Sequence, residues 1–315
     1  MKQKDRIYNL PEINREIPKG SIVISYSQFS KWKKCPRSWK LAYIDKNKIS
    51  KPSIHAVFGT AIHTCIQTWV KTFLTESVKL SEELQFDVML LEELQKTYKK
   101  EMLAHGSHFS TKEELSEFYL DGLNILNWIR KKRTKYFDSR YQQLVGIEVP
   151  ILLPPDPKKP GVLLMGYLDL VIRDIRDGIV TIFDIKTSTR GWKDWDKKDE
   201  TKISQLLLYK VYFSEQYKVP LDLIHVEYLI VKRKIDEESE FAQRRVQTFV
   251  PAQKKPSLNK VSNAFAEFLE TCFTDDSKYN TDIGYHPIAG SKYQNCRFCE
   301  YNNEEQCPMK DRICL

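Results

Sequence analysis

Apolar residues recur along this chain at two different spacings, and the alternation between them lays out a succession of helices and strands. From about residue 56 to 75 the spacing is helical, with Ile62, Ile66, Trp69 and Val70 surrounding His63. Residues 81 to 104 and 112 to 138, rich in Leu, Glu and Lys, keep that period and predict a helical insertion over about 76–140, placed to cover a cleft. The pattern then changes to β-branched and aliphatic runs near 143–153, 162–173 and 179–186, each read as a strand. Pro154 to Pro160 turns the chain between the first two. Arg173 to Gly178, ending in Asp177-Gly178, turns it between the second and third, so 162–186 reads as a hairpin. Residues 187–201, with Trp192 and Trp195 among charges, read as a mobile loop. A helix over 202–217, strands over 223–234 and near 243–250, and a helix over 257–273 follow. The first 20 residues, polar with two prolines, predict a tail of little fixed structure, and no repeat is visible.

Composition narrows the class. A chain of 315 residues with 41% hydrophobic content can bury a large core, in one domain or two. No apolar run approaches the roughly 18 residues of a membrane span, and no signal-peptide core follows the basic N-terminus. The expectation is a cytoplasmic protein with no membrane partner. Seven cysteines, two of them in C-x-x-C spacing, fit metal binding in a reducing compartment better than disulfides. The formal charge of +8 points to a polyanionic partner. Lys31-Trp32-Lys33-Lys34, Arg130 to Lys135 and Lys232-Arg233-Lys234 are the basic clusters, two of them beside aromatics able to stack on bases. Each alone also reads as a solvated helix or strand end.

Chemistry enters at the hairpin. Its pairing sets Asp169 beside Asp184, and strand alternation points Asp184 and Lys186 the same way. Two adjacent carboxylates repel unless a cation lies between them, and oxygen ligands of this kind suit Mg²⁺ or Mn²⁺. A lysine beside such an ion can orient water or neutralise charge on a phosphoryl oxygen. The competing reading is a surface hairpin with an Asp184–Lys186 salt bridge.

The order of the elements carries more than any one of them. Gly59-x-x-x-His63, with the glycine allowing close backbone approach at a helix start, precedes Gly166-Tyr167-Leu168-Asp169. Asp184-Ile185-Lys186 and Gln205-x-x-x-Tyr209 follow, the last pair sharing one helix face. This series resembles the RecB-type branch of the PD-(D/E)xK nuclease superfamily. The resemblance covers about 21–315 and implies an α/β restriction-endonuclease-like core, a central mixed sheet flanked by helices with the metal site at its edge. It implies His63, Asp169, Asp184 and the Ile185 carbonyl as ligands of Mg²⁺ or Mn²⁺ and Lys186 as the catalytic lysine. Gln205 and Tyr209 would position DNA and the active site, with Glu148 as an accessory acid.

Cys296, Cys299 and Cys307 form a C-x₂-C-x₇-C cluster that needs a fourth ligand. Cys35, Cys314 and His286 are the candidates, and on spacing alone a local zinc site using Cys314 is reasonable. The resemblance favours Cys35, because RecB-like nucleases with a 4Fe-4S iron–sulfur cluster, including AddB nuclease domains and the CRISPR-associated adaptation exonucleases, take one ligand from far upstream. The interval to the last cysteine is longer than in those relatives, which leaves Cys307 against Cys314 and zinc against iron–sulfur open. Ser25 to Pro36 looks like their upstream segment, its serines capping a helix with Phe29 and Trp32 inward. Such a cluster, on Cys35 and the 290–314 segment, would clasp the two ends of the domain. Cys65 and Cys272 read as buried thiols.

The function this predicts is a metal-dependent DNA exonuclease acting on single-stranded DNA or free ends in repair, recombination or replication of a bacterial or viral genome. A double-strand-end resecting nuclease beside a recombinase or single-strand-binding protein is the second reading. A DNA-binding module with an idle site is the third.

Overall fold

The computed structural model describes residues 10–314 apart from 50, 237 and 242; residues 1–9 of the expected tail lie outside the described residues. Six strands form one mixed sheet: β1 (Ile22–Ile24), β2 (Gln142–Leu153), β3 (Val162–Asp174), β4 (Val180–Ser188), β5 (Ile224–Lys232) and β6 (Val246–Phe249). The order is β1-β3-β4-β5-β6, with β2 also paired to β3. The predicted hairpin is β3–β4, antiparallel through Leu170↔Phe183 to Arg173↔Val180. Its turn is held by the Asp177 carboxylate, which accepts from the Ile179 amide.

The sheet separates two apolar cores. On one face lie α1 (Tyr26–Lys34), α2 (Pro36–Tyr43), α8 (Glu200–Tyr217) and α9 (Lys255–Cys272), whose Phe29, Trp39, Phe213 and Phe268 are fully buried with Ile182 and Val226 of the strands. On the other lie α3 (Ile54–Lys71), α5 (Phe86–His105) and α6 (Lys112–Lys131), packed on Phe183, Ile185 and Leu229. The insertion helices α5 and α6 pack on α3, and the short α4 (Val78–Glu83) packs on the turn Thr72–Glu76 that follows α3. Arg233, at the end of β5, fastens α6 through Asp121 (2.9 Å) and Glu117 (2.9 Å).

Two local departures from regular pairing build the site. β3 pairs with β2 along nearly its whole length; on its other edge it meets β1 only at Val162–Leu164 and β4 only at Leu170–Arg173. Met165 to Asp169 therefore face a fork. At the same level both β2 and β3 switch cores: Val149 and Leu168 lie in the α8 core, whereas Ile147 packs against the α3 core and Leu170 lies in it. Residues two apart normally share a face. Glu148, at φ +48°, turns β2 over at this point.

Several expectations change. Ser25 stands at the N-cap of α1 but makes no side-chain capping bond, while Phe29 and Trp32 are inward as expected. Residues 187–201 are not a free loop. β4 runs to Ser188, the Lys234 backbone amide donates to the Thr189 carbonyl (2.8 Å), Gln247 clamps the Trp192 backbone from both sides (2.8 and 3.0 Å), and α7 (Asp194–Lys198) follows. Leu10 and Ile13 of the expected tail pack against the core. Among the described residues no helix is long and apolar enough to cross a membrane.

Candidate active site

At the fork the ladder ends and side chains take over. Asp169 is the residue just before the first β3–β4 pair, Leu170↔Phe183, and so lies opposite Asp184; its Oδ2 accepts the Ile185 amide at 2.6 Å. Asp184 is only 5% exposed. Lys186 extends along the same face, its ammonium 2.8 Å from Asp184 Oδ2 and donating to Gln205 Oε1 at 3.0 Å. The Lys186 ammonium is thus the partner of Asp184 Oδ2, which is otherwise buried with no further hydrogen bond among the described residues. His63 reaches in from α3 on the opposite layer, Nδ1 standing 3.5 Å from Asp169 Oδ2.

Tyr209 comes from α8, one turn after Gln205. A methyl added at Gly166 would lie 2.7 Å from its hydroxyl and 2.8 and 2.9 Å from its ring carbons, so the Gly-Tyr-Leu-Asp glycine makes room for this tyrosine. Gly59 has no such task. It sits inside α3 rather than at its start, and a methyl there would make an ordinary 3.4 Å contact with Thr187. Glu148 joins the group: Gln67, one turn beyond His63 on the same helix face, donates to Glu148 Oε1 (2.6 Å) and to the Asp169 carbonyl (3.1 Å). Gln67 went unread in the sequence, although its i, i+4 relation to His63 was there to find.

Electrostatics follow from burial. Burial and the Asp184 charge push the Asp169 carboxyl well above the usual range, against the Ile185 amide. Burial lowers His63 to about 4, so the imidazole is neutral at pH 7, the form in which histidine binds metals. Burial pulls Lys186 down, but the Asp184 and Asp169 charges outweigh it and the ammonium is held above its ordinary value. Burial also raises the Tyr209 hydroxyl, which remains protonated.

Cys35, Cys296, Cys299 and Cys307 line one small cavity between α2 and the C-terminal segment; Cys35 Sγ accepts the Ile288 amide at 3.4 Å. Cys314 is exposed and, like His286, is not among the residues lining it. Cys65 and Cys272 are buried, the thiol of Cys65 pushed up to about 12 by burial. No cysteine is in a disulfide among the described residues. Among the described residues no three His, Cys, Asp or Glu side chains stand as a metal-holding group, at the cysteines or at the fork.

The basic clusters divide. Lys31 pairs with Glu300 and Lys33 with Glu200 (2.8 Å), and Trp32 is buried, so this run braces the fold. Arg130 caps the Glu82 and Leu84 carbonyls, and Arg133 pairs with Glu82 (2.7 Å). Arg233 and Lys234 are held by α6, whereas Lys232, on the other strand face, is not.

A mixed sheet with helices on both faces, and an Asp…Asp-x-Lys group where its strands part, is the arrangement of a phosphodiesterase core. The chain matches the family model of the PD-(D/E)XK nuclease superfamily over residues 23–308, and it belongs to that superfamily. No curated protein matches it.

Proposed function

We propose that the protein is a Mg²⁺- or Mn²⁺-dependent deoxyribonuclease of the RecB-type branch, acting on single-stranded DNA or free DNA ends. The observation that carries this is two largely buried carboxylates, Asp169 and Asp184, set side by side with one ammonium, Lys186, paired to Asp184 and a neutral His63 beside Asp169. Two carboxylates in one buried site repel each other, as the raised Asp169 carboxyl records, and a further cation would relieve that repulsion. These residue types suit the ion that the superfamily implies. Asp169, Asp184, the Ile185 carbonyl and neutral His63 would hold it, with Glu148 accessory. When bound, such an ion makes water nucleophilic at neutral pH and offsets charge on phosphoryl oxygens.

The chain's own groups supply the rest. Lys186 is an ammonium at neutral pH and serves as a cation, not a base: it orients the attacking water and neutralises charge as the in-line displacement leaves a 5′-phosphate. Gln205 fixes the ammonium from one side and Asp184 from the other. Tyr209 walls the site over Gly166.

The same reading assigns a structural 4Fe-4S cluster to Cys35, Cys296, Cys299 and Cys307, with zinc as the alternative occupant. Its support is that these four thiols line one cavity. Visible absorption of the pure protein, lost in Cys299→Ser, is the expected result; a colourless protein retaining zinc selects the alternative. For the activity, the test is release of nucleotides from end-labelled linear DNA in Mn²⁺, set against a closed circle. Degradation of the linear form alone supports action at ends, and equal cutting of both would make the protein an endonuclease.

A further inference from the structure

Beside the catalytic pocket lies a second, larger depression. On its Lys186 side the catalytic pocket opens into a depression of about 380 Å³ lined by Lys186, Gln205, Trp192 and Asp196 among others, with Asp169 and Asp184 outside this lining. Trp192 also lines a cleft of about 670 Å³ whose wall holds Lys135, Tyr136, Arg190, Lys232 and Arg244 and, among the described residues, no acidic side chain. The two depressions are thus joined along one indole. Four cations converge there from four separate segments, and none of them carries an ion pair among the described residues.

The cleft is built rather than incidental. Gly191, at φ +90°, lets the chain after β4 lie against β5 and β6. A methyl there would stand 2.8 Å from Gln247 Oε1 and 2.8 Å from Lys232 Cδ. Gln247 then locks the Trp192 backbone, and the Tyr136 hydroxyl donates to the Val246 carbonyl at 3.3 Å. The Lys232 ammonium is lowered by burial and by the charges of Arg245 and Arg244. A polyanion laid along the cleft would relieve that repulsion, and past Trp192 it would continue toward the pocket of Lys186.

Resting on the nuclease reading above, we propose that Lys135, Arg190, Lys232 and Arg244 grip the phosphate backbone of the strand being cut, which runs across Trp192 between this cleft and the catalytic pocket. Fluorescence anisotropy of a labelled single strand of thymidines, in EDTA to prevent hydrolysis and over a range of salt, tests it with the full chain. Each lost phosphate contact lowers the slope of log affinity against log salt by about 0.7 for a single strand. Arg190→Ala/Lys232→Ala/Arg244→Ala should flatten the slope by about 2 and weaken binding at least tenfold. Removing equal charge from the insertion face, in Lys99→Ala/Lys100→Ala/Lys112→Ala, should leave both as in the wild type. Should the first variant melt early, Arg190→Glu/Arg244→Glu changes only exposed side chains and is expected to lose more affinity still. Wild-type affinity and slope in the cleft variants, or equal loss in the insertion variant, would overturn the cleft while leaving the nuclease reading intact. A wild type that neither binds nor cuts DNA would overturn both.

Discussion

Gly166 serves the site through what it lacks. The ring of Tyr209 is buried and cannot step aside, so Gly166→Ala should destabilise the protein by about 1–3 kcal/mol through overpacking and reduce activity with it. Denaturant midpoints read the first effect; a variant as stable as the wild type would mean that the ring moves freely. At this scale the motif residues were legible because their chemistry is concentrated: Asp169, Asp184 and Lys186 are charges set in apolar runs, and Gln205 and Tyr209 keep helical spacing. Gln67 was not, since an uncharged amide on an apolar helix face gives no such contrast. Nor could the left-handed backbone of Glu148 be read, because nothing in a glutamate announces φ +48°. That one residue decides which core each end of β2 joins.

Between elements, single ionised groups hold helices in place. Glu200, at the start of α8, pairs with Lys260 of α9 and Lys33 of α1, and those two lysines hold its carboxyl down to about 2 from an ordinary 4.5. The folded value is the lower one. Its contribution is therefore complete above pH 4.5 and is lost as pH falls toward 2. Glu200→Gln should accordingly lose less stability than the wild type between pH 5 and pH 3, measured by urea midpoints; identical losses would show that the pairing contributes nothing. Asp121 is the stronger joint, because both it and Arg233 are largely shielded from solvent. Asp121→Ala leaves the guanidinium only the more exposed Glu117 and should cost about 1–3 kcal/mol, with hydrogen exchange rising first in α6. The basic runs mislead in sequence for the same reason: Lys31, Lys33, Arg133, Arg233 and Lys234 are all used in pairs of this kind. Only Lys135 and Lys232 of those runs reach the cleft, where Arg190 and Arg244 join them from stretches that carry no run at all. Convergence of single cations is a tertiary fact. The helix Pro36–Tyr43 and the three-residue β1 were missed because each is too short to show a period.

Over the whole molecule, the first helices and the last residues are in contact through ordinary bonds. Lys31 pairs with Glu300, Arg37 donates to the Gln306 carbonyl (3.1 Å), Asn295 to that of Lys34 (3.0 Å), and the Tyr301 hydroxyl to that of Asn47 (2.7 Å). Thiols gathered inside this contact would add constraint across nearly the full chain, so Cys35→Ala should lower the melting temperature by several degrees before it alters the chemistry at the fork. Unchanged melting would deny the cysteines a structural role. The fork itself joins α3 on one layer to α8 on the other, and everything proposed for it depends on whether Asp169, Asp184 and Lys186 work together on a phosphodiester bond. The direct measurement is cleavage of end-labelled linear DNA by the wild type and by Lys186→Ala, each with Mn²⁺ and with EDTA. The expected result is cutting by the wild type in Mn²⁺ alone, with at least a hundredfold loss in Lys186→Ala, about the effect of removing one preorganised charge-stabilising group. Intact DNA in Mn²⁺, or a Lys186→Ala protein as active as the wild type, would contradict it.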